Sequence, residues 1–194
     1  MIKSEKICAE LSARFDQLEK LMGDSFNRRD FYFAGGCIYS LWNGKEPKDY
    51  DIFCKNKRAM QKLEKWFREH KGVADIITKN AISMGKYQFV TRHIGAPRDQ
   101  VALFDFLHNC YWYDEGRLHA LNGWSYLDDT TLHFNSARAR DILNIMTRIP
   151  KFVSRGMTIS QKEMLTILEQ GTRPTRILKE RRFIQQRKNG RFLY

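Results

Sequence analysis

The chain has 194 residues, of which 42% are hydrophobic and 13% aromatic, so it can form a packed core and a wholly disordered protein is excluded. No apolar run approaches the roughly 20 residues of a membrane span, and the charged N-terminal segment lacks a secretory signal core. We therefore expect a cytoplasmic protein without a membrane partner. The formal net charge of +12 favours an anionic partner, such as nucleic acid.

The positive charge is concentrated in the C-terminal part of the chain. Residues 1–136 carry 20 basic and 18 acidic side chains, whereas residues 137–194 carry 14 basic and 4 acidic side chains. Such an excess indicates an anionic ligand, and a solvated helix face is the alternative. The four cysteines lack the spacing of a zinc site, which predicts free thiols.

The first 80 residues alternate between helical and extended patterns. Apolar residues recur at helical spacing over 4–22 and 57–70, and Asn56 is placed to cap the second of these helices. A short amphipathic stretch predicts a further helix over 37–43. Short apolar runs predict three strands, at 31–33, 50–54 and 73–78.

Extended patterns continue towards residue 107. Residues 80–94 predict two strands that turn around Gly85, and Gly95-Ala96-Pro97 ends this pair. The apolar run QVALFDFL over 100–107 predicts another strand, buried on both sides.

The pattern becomes helical from Asn135 onward. Ser160 and Glu163 predict a capping box, and Gly171 is placed to end the helix that follows. Residues 175–188 predict a final basic helix.

Two glycines and two aspartates are the most informative group in the sequence. Gly35-Gly36 follows a predicted strand, and Asp49-Tyr50-Asp51 begins the next. Alternate residues of a strand point to the same face, so Asp49 and Asp51 are expected to present their carboxylates together. A divalent cation relieves their repulsion, and all-oxygen ligation favours Mg²⁺ or Mn²⁺. The glycines allow a phosphate to approach backbone N–H groups, which predicts a nucleotide-binding role.

The segment from Gly35 to Asp51 resembles the nucleotidyltransferases of the DNA polymerase β superfamily, and it is most similar to the head domain of poly(A) polymerases and CCA-adding enzymes. The motif of that family is Gly-Gly-x-Val-Arg-Asp-x-Leu-Leu-Gly, then four residues, then Asp-x-Asp. This chain has GGCIYSLWNG, four residues and DYD in the same register. Tyr39-Ser40 stands where tRNA-maturing members carry Arg-Asp, which argues against CCA addition.

The resemblance implies an α/β (α+β) fold. Its small mixed-sheet head, flanked by helices, is expected over 1–134, with a basic helical C-terminal lobe over 135–194. It also implies a metal-dependent enzyme that transfers NMP from an NTP, such as ATP, to a hydroxyl acceptor. The expected acceptor is an RNA or tRNA 3′ end, given the basic C-terminal lobe. The resemblance extends to small phage and bacterial relatives of the family. A protein or small-molecule acceptor, or a degenerate nucleotide- or RNA-binding module, is the alternative.

The resemblance further implies a third carboxylate on a later strand, and Asp105 is the candidate. An aspartate in so apolar a run needs a metal, an arginine or a backbone amide beside it. Asp49, Asp51 and Asp105 are therefore the predicted metal ligands and catalytic residues of a two-metal mechanism, with Asp105 at the metal on the acceptor side.

The stretch RARDILNIMTRIPKFVSR over 138–155 is similar to a basic helical segment that follows the head domain in the tRNA nucleotidyltransferase group. By this resemblance Arg148, Lys151 and Arg155 are candidates for contacts with the triphosphate or with RNA phosphates. Their spacing places them on one face of a helix. Ordinary surface charge is the alternative.

Overall fold

The computed structural model describes residues 2–136 and 142–172. In this part of the chain the helices are α1 (Lys3–Met22), α2 (Gly36–Trp42), α3 (Lys57–Glu69), α4 (Pro97–Val101), α5 (Ile142–Val153) and α6 (Gln161–Thr172). The strands are β1 (Phe31–Ala34), β2 (Tyr50–Cys54), β3 (Ile76–Ile77), β4 (Ala81–Met84), β5 (Tyr87–Ile94), β6 (Tyr111–Asp114) and β7 (Arg117–Ala120). The helix predicted over 175–188 lies outside the described residues.

The seven strands form one mixed sheet in the order β3-β4-β5-β2-β1-β6-β7. β2 pairs in parallel with β5, and its other neighbour, β1, runs antiparallel to it. The parallel pair requires a crossover connection, which α3, β3 and β4 supply. This mixed α/β architecture confirms the predicted fold class.

Alternation along β2 separates the two faces of the sheet. Tyr50, Ile52 and Cys54 belong to the larger core, which α1 and α3 cover with their apolar faces. Phe53 points to the opposite face and belongs to a smaller cluster under α4. Asp51 alternates in the same way as Phe53, so the fold directs its carboxylate to the α4 side of the sheet.

The prediction of a strand over 100–107 is wrong, because α4 occupies the start of this segment. Pro97 occupies the first turn of α4, where its missing N–H costs nothing, and the helix ends at Val101. The Asn135 side-chain amide then donates to the carbonyl oxygens of Ala102 and Phe104, at 3.0 and 2.9 Å. These bonds replace ladder partners, and beyond them a single antiparallel bridge joins Phe106 to Phe134.

The helices α5 and α6 pack on a third apolar cluster that includes Phe106, Leu132 and Phe134. The segment around residue 132 contributes backbone bonds in both directions. The Leu107 N–H donates to the His133 carbonyl (2.9 Å), and the Leu132 N–H donates to the Thr158 carbonyl (2.7 Å). The division of the chain at 134/135 stays a prediction.

Among the residues described here, we find no helix with the length and apolar character that a membrane crossing needs.

Candidate active site

The turn after β1 brings the backbone close to a carboxylate. Gly35 has φ +85°, and a Cβ at this position would lie 3.4 Å from the Phe104 ring and 3.8 Å from Asp51 Oδ2. Any other residue would therefore be strained in its backbone and would narrow the space beside Asp51. The Gly35 N–H donates to the Tyr111 carbonyl at 3.1 Å, which fixes the turn to β6.

The two aspartates of the Asp-x-Asp pattern differ in exposure. Asp49 precedes β2 and is exposed, whereas Asp51 lies within the strand and is partly buried. Burial and the neighbouring Asp49 charge raise the pKa of Asp51 to about 6, while Lys151 and Arg148 oppose that rise. The sheet thus brings two carboxylates close enough to interact, with cations of α5 acting on the inner one.

Asp105 is the most deeply buried of the predicted carboxylates, with 4% of its surface exposed. Its Oδ2 accepts a hydrogen bond from Arg148 Nη1 on α5, and the two groups form an ion pair. The arginine partner that an aspartate in this apolar run required is therefore present. Because Arg148 is about half exposed, its remaining N–H donors stay available to a ligand.

Of these residues, Gly35, Asp51, Asp105 and Arg148 line one cleft with a volume of about 240 Å³. Its polar or backbone lining comprises Gly35, Gly36, Asp51, His93, Gln100, Asp105, Asn109 and Arg148. Its other walls come from β2, β5, α4, α5 and the segment around Phe104. The structure thus places five predicted site residues, Gly35, Gly36, Asp51, Asp105 and Arg148, around a common space.

The basic residues of α5 do not all belong to this cleft. Lys151 acts electrostatically on Asp51. The helix ends at Val153, so Arg155 lies in the turn beyond it and does not share the helical face as predicted. Pro150 lies within α5, and the Ser154 N–H donates to its carbonyl oxygen at 2.9 Å.

Whether a divalent cation fits this site depends on its carboxylates. Within residues 2–136 and 142–172, no three His, Cys, Asp or Glu side chains come together as a metal-binding group. Asp49 and Asp51 remain the pair with the right chemistry, since both are oxygen donors and since burial, together with the Asp49 charge, raises the pKa of Asp51. Mg²⁺ normally takes one or two carboxylates and completes its shell with substrate phosphates and water, so this pair fits it.

Several residues of the site were not singled out by sequence reasoning. Phe53, His93 and Gln100 line the cleft, and Asn109 Oδ1 lies 3.7 Å from the Cβ position at Gly36. Alternation along β2 could have identified Phe53 as the neighbour of Asp51 on the same face. His93, Gln100 and Asn109 depend on the path of the chain around α4, which the wrong strand prediction concealed.

The departure at Tyr39 has a structural role. Its hydroxyl donates to the Asp129 carbonyl at 3.1 Å, and its ring makes an edge contact with His108, with the ring centroids 5.0 Å apart. His108 itself is 2% exposed, and burial lowers its pKa to about 3, so it is a neutral core residue. Tyr39 therefore links α2 to the segment before Leu132. The arginine of the family motif would place a positive charge at this position instead.

Solved structures with a similar fold are tRNA nucleotidyltransferases. The Thermotoga maritima CCA-adding enzyme complexed with tRNA aligns with a TM-score of 0.57 and 18% identity, over 79% of this chain and 41% of that chain. A tRNA nucleotidyltransferase complexed with a primer tRNA and an incoming ATP analogue gives 0.54 and 18%, over 80% and 49%. A CCA-adding enzyme with CTP gives 0.54 and 16%, over 78% and 41%.

These similarities show a nucleotidyltransferase-like fold, and the chain spans less than half the length of each of these three structures. No protein with a curated description matches the sequence. A family model does match it over residues 5–138, which is more than two thirds of the chain, and its description is Gabija anti-defense 2 family protein.

Proposed function

The chain belongs to the Gabija anti-defense 2 family, and from that premise we propose that it is a metal-dependent nucleotidyltransferase. It would transfer NMP from an NTP to a hydroxyl acceptor and release pyrophosphate. The proposed acceptor is the 3′ end of an RNA, including tRNA, and the transfer is the proposed basis of the activity against the Gabija defence.

One observation carries the proposal. Asp51 lines a cleft beside Gly35, and the charges of Asp49, Lys151 and Arg148 all act on its carboxylate. A carboxylate pair next to an open backbone and within the influence of two cations suits a metal-bound triphosphate, because phosphoryl transfer relies on positioning and charge neutralisation. A generic α/β core supplies no reason for this arrangement.

Asp49 and Asp51 would hold Mg²⁺ or Mn²⁺, and such an ion supplies charge neutralisation at the α-phosphate and lowers the pKa of a bound hydroxyl. Gly35 and Gly36 leave room for the phosphates against the backbone. Arg148 and Lys151 would bind the β- and γ-phosphates, with Asp105 orienting Arg148. We propose that Arg155 contacts the RNA backbone. We propose that Asp105 binds a second metal ion only when the substrate is bound.

Transfer to a nucleic acid is favoured over the alternatives by charge. In sequence, Arg148 and Lys151 belong to the segment 137–194, which carries most of the net charge of the chain. Because the phosphodiester backbone of RNA binds basic segments electrostatically, we expect an RNA acceptor whose affinity falls with salt concentration.

The test is label transfer from each α-³²P NTP to total RNA and protein, with Mg²⁺ or Mn²⁺. The wild type is expected to label RNA in a metal-dependent way. Asp51→Asn and Asp49→Asn should each reduce the rate by about 100-fold or more, because they remove the charge that positions the metal. Residual activity above a few per cent of wild type would contradict the assignment.

Lys162→Ala is the matched control, because this exposed cation of α6 is not among the residues that line the cleft. It should leave the NTP dependence of the rate unchanged. Label in protein instead of RNA would show that the acceptor is a protein and not an RNA.

A second test uses phage infection of cells that carry the Gabija defence. The Asp51→Asn variant should no longer protect the phage against that defence. If a folded, inactive variant protected the phage fully, the anti-defence role would not depend on nucleotidyl transfer.

A further inference from the structure

A second groove, here called the β3 groove, lies at the border of the larger core. It has a volume of about 650 Å³ and shares no lining residue with the candidate active site. Its lining combines apolar side chains such as Phe67, Ile77 and Ile82 with charged ones. Phe67 and Ile82 belong to the core that α3 covers, whereas Phe53 of the active-site cleft belongs to the cluster under α4.

The edge of the sheet beside this groove exposes aliphatic side chains. Of the eleven exposed large hydrophobic residues in the described part of the chain, three fall within residues 73–77. They are Val73, Ile76 and Ile77, with 37%, 60% and 67% of their surface exposed. Single exposed hydrophobic residues are ordinary, whereas a cluster of them marks an interaction surface.

The backbone of β3 is open on one side. β3 is the last strand of the sheet that the described residues form. Ile77 pairs with Ile82 of β4 in antiparallel register, and the Thr78 N–H donates to the Ala81 carbonyl of β4 at 2.9 Å. In such a ladder, residues bonded to the neighbouring strand alternate with residues whose N–H and C=O point away from it. Ile77 therefore directs its backbone N–H and C=O to the open side of the sheet.

The side chains of β3 indicate what kind of contact would cover them. Successive side chains of a strand point to opposite faces, so Ile76 and Ile77 lie on different faces of the sheet. Both are more than half exposed, and a partner that lay on one face would cover only one of them. A strand added beside β3 would cover both, because its own side chains would lie next to them on the two faces.

Charge determines the composition of such a strand. Residues 55–79 carry 8 basic and 3 acidic side chains, whereas the rest of residues 1–136 carries 12 basic and 15 acidic ones. Arg68, Lys71 and Lys79 line the groove and are exposed. An acidic segment is therefore attracted to this edge. A second copy of the same basic edge is repelled, and so is the basic C-terminal part of the chain.

The apolar side chains favour a protein over a nucleic acid. Single-stranded RNA binds basic surfaces by stacking its bases on accessible aromatic rings. The exposed side chains of residues 73–77 are aliphatic, and the two aromatic rings of α3, Trp66 and Phe67, are only 6% and 4% exposed. Isoleucine and valine on a strand instead pack against the apolar side chains of a neighbouring strand.

We propose that the open edge of β3 binds an extended, acidic segment of a partner protein as an additional strand. The main chain of that segment exchanges hydrogen bonds with Ile77, and one of its apolar side chains packs beside Ile77 in the β3 groove. Its acidic side chains pair with Arg68, Lys71 and Lys79. This docking surface is separate from the candidate active site and does not depend on nucleotidyl transfer.

The test measures the binding of two short, fluorescein-labelled peptides to the full chain by anisotropy, without NTP or metal. The first peptide alternates glutamate and valine. The second has the same sequence but is N-methylated at every residue, which removes its N–H donors and retains its charge. The wild type is expected to bind the first peptide at least about 10-fold more tightly, as for one or two main-chain hydrogen bonds.

Two variants of the edge separate the apolar contact from the charge. Ile77→Thr keeps a β-branched residue but removes apolar surface, and it should weaken binding of the first peptide by about 5-fold or more. Lys79→Ala should weaken it by about 2- to 5-fold at low salt and by less at high salt. Leu143→Ala, at a position 82% exposed on α5, is the matched control and should behave as the wild type.

The fold and the proposed enzyme activity are checked in the same variant. Because Ile77 is 67% exposed, Ile77→Thr should keep the unfolding midpoint and the label transfer of the wild type. If the wild type transferred no label but still preferred the first peptide, the proposed enzyme activity would be rejected and the docking surface would stand.

Four results would overturn the inference. The first is the absence of saturable binding of the first peptide. The second is equal binding of the two peptides, since charge alone would then explain the affinity. In the third, Ile77→Thr weakens the binding of oligouridylate RNA and leaves that of the first peptide unchanged, which would assign the edge to a nucleic acid. In the fourth, the wild type sediments as a dimer that Ile77→Thr dissociates, which would assign the edge to a second copy of the chain.

Discussion

The carboxylates on the two sides of the cleft differ in the charge of their nearest neighbours. On the sheet side, Asp51 lies beside the like charge of Asp49, and burial together with that neighbour raises its pKa to about 6. On the side that faces α5, Asp105 is more deeply buried but is paired with Arg148. The sheet side therefore has negative charge that a bound cation would neutralise, whereas the helix side already carries its counter-charge.

This difference assigns separate tasks to the two carboxylates. Asp51 gains most from a metal, because its charge is compensated only in part by Lys151 and Arg148. Asp105 uses one lone-pair direction to hold a guanidinium that still has N–H donors for a phosphate. In the ligand-free protein Asp105 is thus a positioning residue for Arg148.

The largest expected effect on stability comes from breaking the helix side. Arg148→Ala removes this ion pair from the buried Asp105 carboxylate and should lower the free energy of unfolding by about 2–3 kcal/mol, below the full range for buried pairs because Arg148 is half exposed. Asp105→Asn should cost only about 1 kcal/mol, since the freed guanidinium can reach water. Urea unfolding of the two variants measures this asymmetry.

Lys162→Ala serves as the control for this pair, because it removes an exposed cation near the start of α6 and should change stability by no more than about 0.5 kcal/mol. Equal losses in Arg148→Ala and Asp105→Asn would show that the cation does not compensate a buried charge.

The sheet side should respond in the opposite direction. A raised pKa means that the folded state binds the Asp51 proton more tightly than the unfolded state does, so the free energy of unfolding falls as pH rises from about 4 to about 6. At pH 7.5 without metal, Asp51→Asn should therefore be more stable than the wild type, by about 1–2 kcal/mol after allowance for partial exposure.

Thermal unfolding at pH 4.5 and 7.5, with and without Mg²⁺, checks this prediction. The advantage of Asp51→Asn should shrink at pH 4.5, and Mg²⁺ at pH 7.5 should stabilise the wild type but not the variant. Asp49→Asn should give a smaller gain, because it removes only the neighbouring charge. If Asp51→Asn were less stable than the wild type at pH 7.5, the negative charge of Asp51 would not be unfavourable in the metal-free protein.

The sheet side could be predicted from sequence, and the helix side only in part. Gly35, Gly36, Asp49 and Asp51 lie within one short segment, where alternation and strand pairing determine their placement. Asp105 and Arg148 come together through tertiary packing of α5, which no local pattern encodes. The run over 100–107 was misassigned because an apolar stretch reads alike as a strand or as a buried turn, and the decisive bonds come from Asn135, far along the chain.

The smallest expected effect concerns the second attachment of the helix side, through Glu163 on α6. Its carboxylate accepts from the Phe134 N–H at 3.0 Å and lies 3.3 Å from His133 Nδ1, so this predicted member of a capping box also binds the segment that crosses from the sheet. Glu163→Ala should lower the free energy of unfolding by about 1 kcal/mol, as for one lost hydrogen bond to a charged group at a partly exposed site.

Glu163→Gln should retain the bond to the Phe134 N–H and lose less than half of that amount, and urea unfolding resolves the two variants when they are compared at equal salt. If α6 were held by apolar packing around Ile167 alone, both variants would match the wild type. Because Leu132 and Phe134 share that cluster with α5, loosening Glu163 should also weaken the binding of NTP through Arg148 by less than threefold, far below the effect of Arg148→Ala.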